Sequence, residues 1–160
     1  MSLLLIPWRT LMLRKVFVPP VLLLLFVLFD LLIAGREFWA WRPLYFGLAL
    51  IPLIISAVIV LGTLCQFRTH HTTLNPLRAQ ETTTLMTDGW FRYSRNPIYL
   101  AMTGVQLALI ILSGKPLLLL TLPLFIYLLT VLHIRPEEAE MARLFPRQWP
   151  EYARKVRRWL

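Results

Sequence analysis

Two polar clusters interrupt an otherwise apolar chain. Thr83-Thr84-Leu85-Met86-Thr87-Asp88-Gly89-Trp90-Phe91-Arg92-Tyr93-Ser94-Arg95-Asn96-Pro97-Ile98-Tyr99 lies between the second and third apolar stretches, and Arg135-Pro136-Glu137-Glu138 follows the last one. Beside membrane spans, residues of these types suit a bound ligand. The carboxylates of Glu137 or Glu138 can hold a cation, and Arg95 or Arg135 can pair with an acidic group. Leu85, Met86, Phe91 and Tyr99 can wall an aromatic or apolar slot, while Asn96 and the loop amides can donate hydrogen bonds. The glutamates also admit an electrostatic account. Pro136 suits a first helical position, and Glu137, Glu138 and Glu140 would then sit in a first turn, where the helix dipole favours anions.

Other chemistries lack their signatures. His70, His71 and His133 show no HxxxH or HxxH spacing, and adjacent histidines point to different sides of a helix or strand, so no metal site is expected. The lone Cys65 excludes an intramolecular disulfide and a cysteine-based zinc cluster. The six glycines form no GxGxxG. Neither Ser94 nor Ser113 sits in a nucleophile elbow.

The elements that must position the clusters are membrane helices. Of the 160 residues, 58% are hydrophobic and 16% charged, where a soluble domain carries about 25% charged residues. Mean hydropathy is +0.63. Four apolar blocks run over about 16–34, 44–65, 98–113 and 117–134, against a need of about 20 apolar residues per span. The first contains Pro19-Pro20 and Asp30. The third and fourth are short, and Lys115-Pro116 between them predicts a tight helical hairpin. The expected fold is therefore all-α and integral to the membrane: about four transmembrane helices in a single domain spanning 1–160, with a cytoplasmic loop over 66–97 and short cytoplasmic or interfacial helices over 135–160. The N-terminus shows no cleavable signal pattern, so the first block is expected to be an uncleaved anchor.

Charge sets the orientation. With four spans, fourteen of the 17 Lys and Arg fall on one side and only Arg36, Arg42 and Lys115 on the other. The positive-inside rule places both termini and the long loop in the cytoplasm. The net charge of +9 is gathered beside the spans, where it meets anionic headgroups rather than nucleic acid. A bacterial inner-membrane location is expected. Near the C-terminus, Trp149, Tyr152, Val156 and Trp159 are spaced to make one apolar face flanked by basic residues, the pattern of a helix lying in the headgroup layer.

Arg95-Asn96-Pro97-Ile98-Tyr99 followed by Glu137-Glu138 resembles the RxPxY … EE pattern of the isoprenylcysteine carboxyl methyltransferase family, and the chain looks like a small bacterial-type member. The resemblance covers about residues 68–160. It implies S-adenosylmethionine as cofactor, contacted by Thr83, Thr84, Leu85, Met86 and Phe91, by the turn residues Asn96, Pro97, Ile98 and Tyr99, and by Glu137 of the glutamate pair, with Glu138 beside it. Asn96 stands where the eukaryotic branch usually has histidine, and Pro146 stands where the family usually has glycine.

Methyl transfer from a sulfonium needs positioning and exclusion of water rather than a catalytic triad, so Arg95, Arg135 and Tyr99 are the candidates to orient the acceptor. The expected partners are the bilayer and a lipophilic or lipid-anchored acceptor entering sideways. Two alternatives remain open at this point: an NADPH-dependent membrane reductase of sterol-reductase-like architecture, and a small non-enzymatic membrane subunit. The two motifs should meet in space, because a two- or three-residue hairpin loop brings Ile98 and Ile134 together.

Overall fold

A computed structural model describes residues 18–36, 42–69 and 85–160. His70, His71, Thr83 and Thr84 lie outside the described residues. Helix α1 (Pro19–Ala34) opens on two prolines, which suit a first turn whose N–H groups have no partner anyway. Helix α2 (Pro43–Thr69) is 27 residues long and tolerates Pro52 in its interior; the Ser56 hydroxyl donates to the Pro52 carbonyl at 2.7 Å.

Helix α3 (Pro97–Ser113) starts where Asn96 takes a non-helical φ of −134° and ψ of 59° before Pro97. It stops at Gly114, whose φ of 63° is left-handed. After Lys115 the chain re-enters a helix at once, through a 3-10 turn (Pro116–Leu120), α4 (Thr121–Leu129), a π segment (Thr130–Ile134) and α5 (Arg135–Leu144). The tight hairpin is present as expected. Helix α6 (Gln148–Lys155) closes the series.

Every regular element among the described residues is helical. Two helices, Pro43–Thr69 and the continuous 29-residue Pro116–Leu144, are long and apolar enough to cross a membrane. Pro19–Ala34 and Pro97–Ser113 are shorter apolar helices, about 25 Å each at 1.5 Å per residue. Large apolar side chains such as Leu28, Leu32, Ile51, Ile54 and Leu61 point outward along α1 and α2. The centre is built from Leu22, Tyr99, Met102, Phe125, Leu129 and Ile134, with Ile98 and Trp159 packed against them. This is the arrangement of a protein whose surrounding solvent is lipid.

Two expectations about the C-terminal segment need correction. The last apolar helix does not end at residue 134. Ile134 and Arg135 both have helical angles, so α5 continues the π segment directly, and Glu137 and Glu138 do not stand at a free helix N-terminus. The dipole account of these glutamates fails for that reason. Nor do Trp149, Tyr152, Val156 and Trp159 share one interfacial helix. Val156 is extended, with φ −116° and ψ 133°, Tyr152 is buried, and Trp159 turns inward against the core.

Candidate functional site

The π segment sets the register of the site. Its wider turn carries one extra residue before α5 begins, and His133 within it and Glu137 just beyond it both turn toward α3. The Tyr99 ring stacks on the His133 ring at 6.4 Å and 26°. The Tyr99 hydroxyl donates to Glu137 Oε1 at 2.7 Å. Tyr99 and His133 are buried and Glu137 is half-buried. The two motifs, separated by 38 positions, therefore meet side chain to side chain.

Glu138 faces a different neighbourhood. Arg158 grips it with Nε at 3.1 and 3.0 Å and with Nη2 at 2.6 Å. Arg95 Nη2 adds a contact at 3.2 Å and lies over the Trp149 ring, 5.6 Å from its centroid. A carboxylate already held by two guanidinium groups is a structural anchor, not a waiting ammonium site. What it anchors is the irregular C-terminal segment of residues 156–160. The Arg95 N–H donates to the Arg157 carbonyl at 3.0 Å, and Asn96 Nδ2 donates to the Arg158 carbonyl at 3.0 Å. Ser94 Oγ accepts the Asn96 N–H at 3.1 Å. Arg95 and Asn96 thus clamp the tail over the Asn96-Pro97 turn.

Arg135 is exposed and makes no ion pair among the described residues. It sits two positions before Glu137 on a helix, so the two side chains point to different sides.

The loop before α3 forms a second neighbourhood. Phe91 meets Phe67 edge-on at 5.8 Å, and its carbonyl accepts the Tyr152 hydroxyl at 2.8 Å. Burial pushes the Tyr152 hydroxyl above the usual tyrosine range. The Trp90 N–H donates to Gln66 Oε1 at 3.1 Å, and a Cβ on Gly62 would overlap the Trp90 indole nitrogen. Met86 is buried and Leu85 half-buried. No hydrogen bond or ring contact among the described residues joins Leu85, Met86 or Phe91 to the Tyr99–Glu137 pair.

Between α2 and α3 lies an apolar cavity of about 490 Å³. Ile55, Ile59, Leu100 and Leu107 line it, with Trp90, Tyr93 and Pro97, and Gly104 meets Ser56 in its wall. A smaller space of about 380 Å³, bounded by Gly62, Gln66, Arg92 and the same Trp90 and Tyr93, adjoins it on the loop side. Helix α3 therefore has two working faces. One carries Tyr99 toward α5; the other carries Leu100 and Gly104 toward α2.

Three residues of this arrangement lie outside the two motifs: Arg158, Tyr152 and His133. The i, i+4 spacing of His133 and Glu137 was the one signal available for the histidine. Arg158 and Tyr152 belong to a Tyr152 … Val156 … Arg158-Trp159 ending that resembles the family's terminal pattern, but their tertiary contacts with a loop some sixty positions earlier are not announced by it.

A family model described as phospholipid methyltransferase matches residues 43–148, from the start of α2 to the start of α6. It takes in the loop, both motifs and the Tyr99–Glu137 bond. No curated protein and no solved structure matches the chain.

Proposed function

Because the chain belongs to the phospholipid methyltransferase family, we propose that it transfers a methyl group from S-adenosylmethionine to a lipid-like acceptor at the cytoplasmic face of a membrane. The observation that carries the reading is the Tyr99–Glu137 hydrogen bond of 2.7 Å, which joins the two motifs at one place. The residues present fit the cofactor. Glu137 offers a half-buried carboxylate oriented by a neutral hydroxyl donor, as a cofactor ammonium requires. Met86, Phe91 and Ile98 offer apolar surface for the adenine, with Pro97 bounding the same turn. Thr83 and Thr84, which the resemblance adds to the cofactor contacts, lie outside the described residues.

When bound, the sulfonium supplies an electrophilic methyl group with a good leaving group. The protein's own contribution is orientation and dryness. Tyr99 holds the Glu137 carboxylate, and the Arg95–Glu138–Arg158 cluster fixes the tail across the Asn96-Pro97 turn. Trp90 and Tyr93 add aromatic surface to the cavity lining. Water excluded in this way strengthens every charge interaction inside.

The apolar cavity between α2 and α3 suits the tail of a lipid-like acceptor entering from the bilayer. Arg135, exposed on the helix that carries Glu137, is better placed than the engaged Arg95 to meet an acidic headgroup. The chain crosses the bilayer four times with both termini cytoplasmic. The fourteen-to-three charge asymmetry and the tight hairpin at Gly114-Lys115 support that topology, and local thinning of the bilayer accommodates the two shorter helices.

The test is transfer of label from methyl-labelled S-adenosylmethionine into the organic phase of a reaction with mixed-lipid vesicles. Label should enter lipid with the wild type and not with Glu137→Gln. Labelling of water-soluble material alone would contradict the lipid-like acceptor.

A further inference from the structure

Asp30 is the one ionisable side chain within helix α1, it lies outside the family match, and the site described above does not use it. It is 2% exposed, and Gln106 on α3 is fully buried opposite it. The Gln106 side-chain amide donates to Asp30 Oδ2. The other two oxygens of the pair, Asp30 Oδ1 and Gln106 Oε1, are also buried, and neither has a hydrogen-bond partner among the described residues. Both are acceptors, because a carboxylate and an amide oxygen have no proton to give.

The surroundings supply one hydroxyl donor, and it is shared. From α4, the Thr121 hydroxyl hydrogen-bonds the Asp30 carboxyl and also lies 2.7 Å from the Leu118 carbonyl, so its single proton is shared between two acceptors and none is left for Gln106 Oε1. From the hairpin, Lys115 Nζ donates to the Ile33 carbonyl at 2.9 Å, on the exposed rim. No salt bridge reaches Asp30 among the described residues. Two buried acceptors without partners in an apolar bundle are costly, and a bare carboxylate there is costlier still.

One proton resolves both. We propose that Asp30 is a proton-binding site and is held as a carboxylic acid, paired with Gln106 in a cyclic acid–amide arrangement. The proton rests on Oδ1 and is donated to Gln106 Oε1, while the amide N–H continues to bond Oδ2. No bond other than these two hydrogen bonds is made, and the pair carries no net charge. It fastens α1 to α3 inside the membrane. Through α1 it also holds Leu22 and Phe26 against the cluster that contains Tyr99, so Asp30 acts as a positioning residue for the candidate site.

Infrared difference spectroscopy of the full chain in lipid bilayers tests this directly. Subtracting Asp30→Asn from wild type at neutral pH should leave a protonated-carboxyl carbonyl band. In Gln106→Leu that band should shift to higher frequency, because its hydrogen bond is lost. A difference confined to the carboxylate stretches would overturn the proposal, since Asp30 would then be ionised. Should Asp30→Asn fail to fold, the wild type minus Gln106→Leu spectrum decides alone: a shifted protonated-carboxyl band supports the pair, and an unchanged one refutes it. The measurement needs no cofactor or acceptor, so its outcome is independent of the methyl-transfer reading.

Discussion

The Tyr99 hydroxyl donates a 2.7 Å hydrogen bond to Glu137 Oε1 across the hairpin formed by α3 and the helix running from Pro116 to Leu144. Remove that bond and Glu137 loses its orientation while the packed ring remains. Tyr99→Phe should therefore weaken S-adenosylhomocysteine binding by about 1.5–3 kcal/mol, the range for a hydrogen bond to a charged group. Thermal stability should change far less than affinity. Equal losses in both would make Tyr99 a packing residue only.

The two glutamates should separate cleanly. Glu138 is bonded to Arg158 and Arg95, so Glu138→Gln strips a partner from two guanidinium groups. It should lower stability by about 1.5–3 kcal/mol and loosen residues 156–160, seen as faster amide exchange there. Glu137→Gln should leave melting nearly unchanged and reduce cofactor affinity. The reverse pattern would exchange their roles.

How much of this was legible beforehand depends on the range of the interaction. The apolar blocks, the hairpin and the Asn96-Pro97 bend follow from local composition and backbone sterics, whereas the first block is expected from residue 16 with Pro19-Pro20 inside it and the helix is described from Pro19. The meeting of Tyr99 with Glu137 followed from hairpin geometry. The π segment did not, because Thr130–Ile134 reads as ordinary apolar helix and the extra residue is stabilised by packing. The inward turn of Trp159 was hidden for a similar reason. Its spacing from Tyr152 fits a helix face, but Glu138, the Arg95 N–H and the Asn96 side-chain amide draw the tail away at Val156.

Tyr152 gives a pH signature. Burial holds its hydroxyl neutral in the folded protein above the usual tyrosine range, while the unfolded chain ionises near pH about 10. Between the two values the folded state keeps a proton that the unfolded state has lost, so stability falls as pH rises. The stability is fully present below about pH 10. Tyr152→Phe should flatten the alkaline limb of the melting temperature against pH. An unchanged slope would place the titration elsewhere.

Gly104 fixes the crossing of α2 and α3. A Cβ there would overlap Ser56 Oγ and approach the Pro52 carbonyl oxygen to 3.3 Å. Gly104→Ala should cost about 1–3 kcal/mol from overpacking. Adding Ser56→Ala removes the clashing oxygen and should recover most of that loss, which a double-mutant cycle measures. Strict additivity of the two changes would contradict the close crossing.

The central claim is that Tyr99 and Glu137 build a cofactor site in a membrane methyltransferase. Titration calorimetry of the detergent-purified protein with S-adenosylhomocysteine tests it most directly, with NADPH as the control ligand. The account predicts saturable binding of S-adenosylhomocysteine and none of NADPH. It further predicts that affinity falls in Glu137→Gln and is retained in Glu140→Gln, whose carboxylate pairs with Arg143 on the exposed side of α5. Binding of NADPH alone, or S-adenosylhomocysteine affinity indifferent to Glu137→Gln, would contradict it.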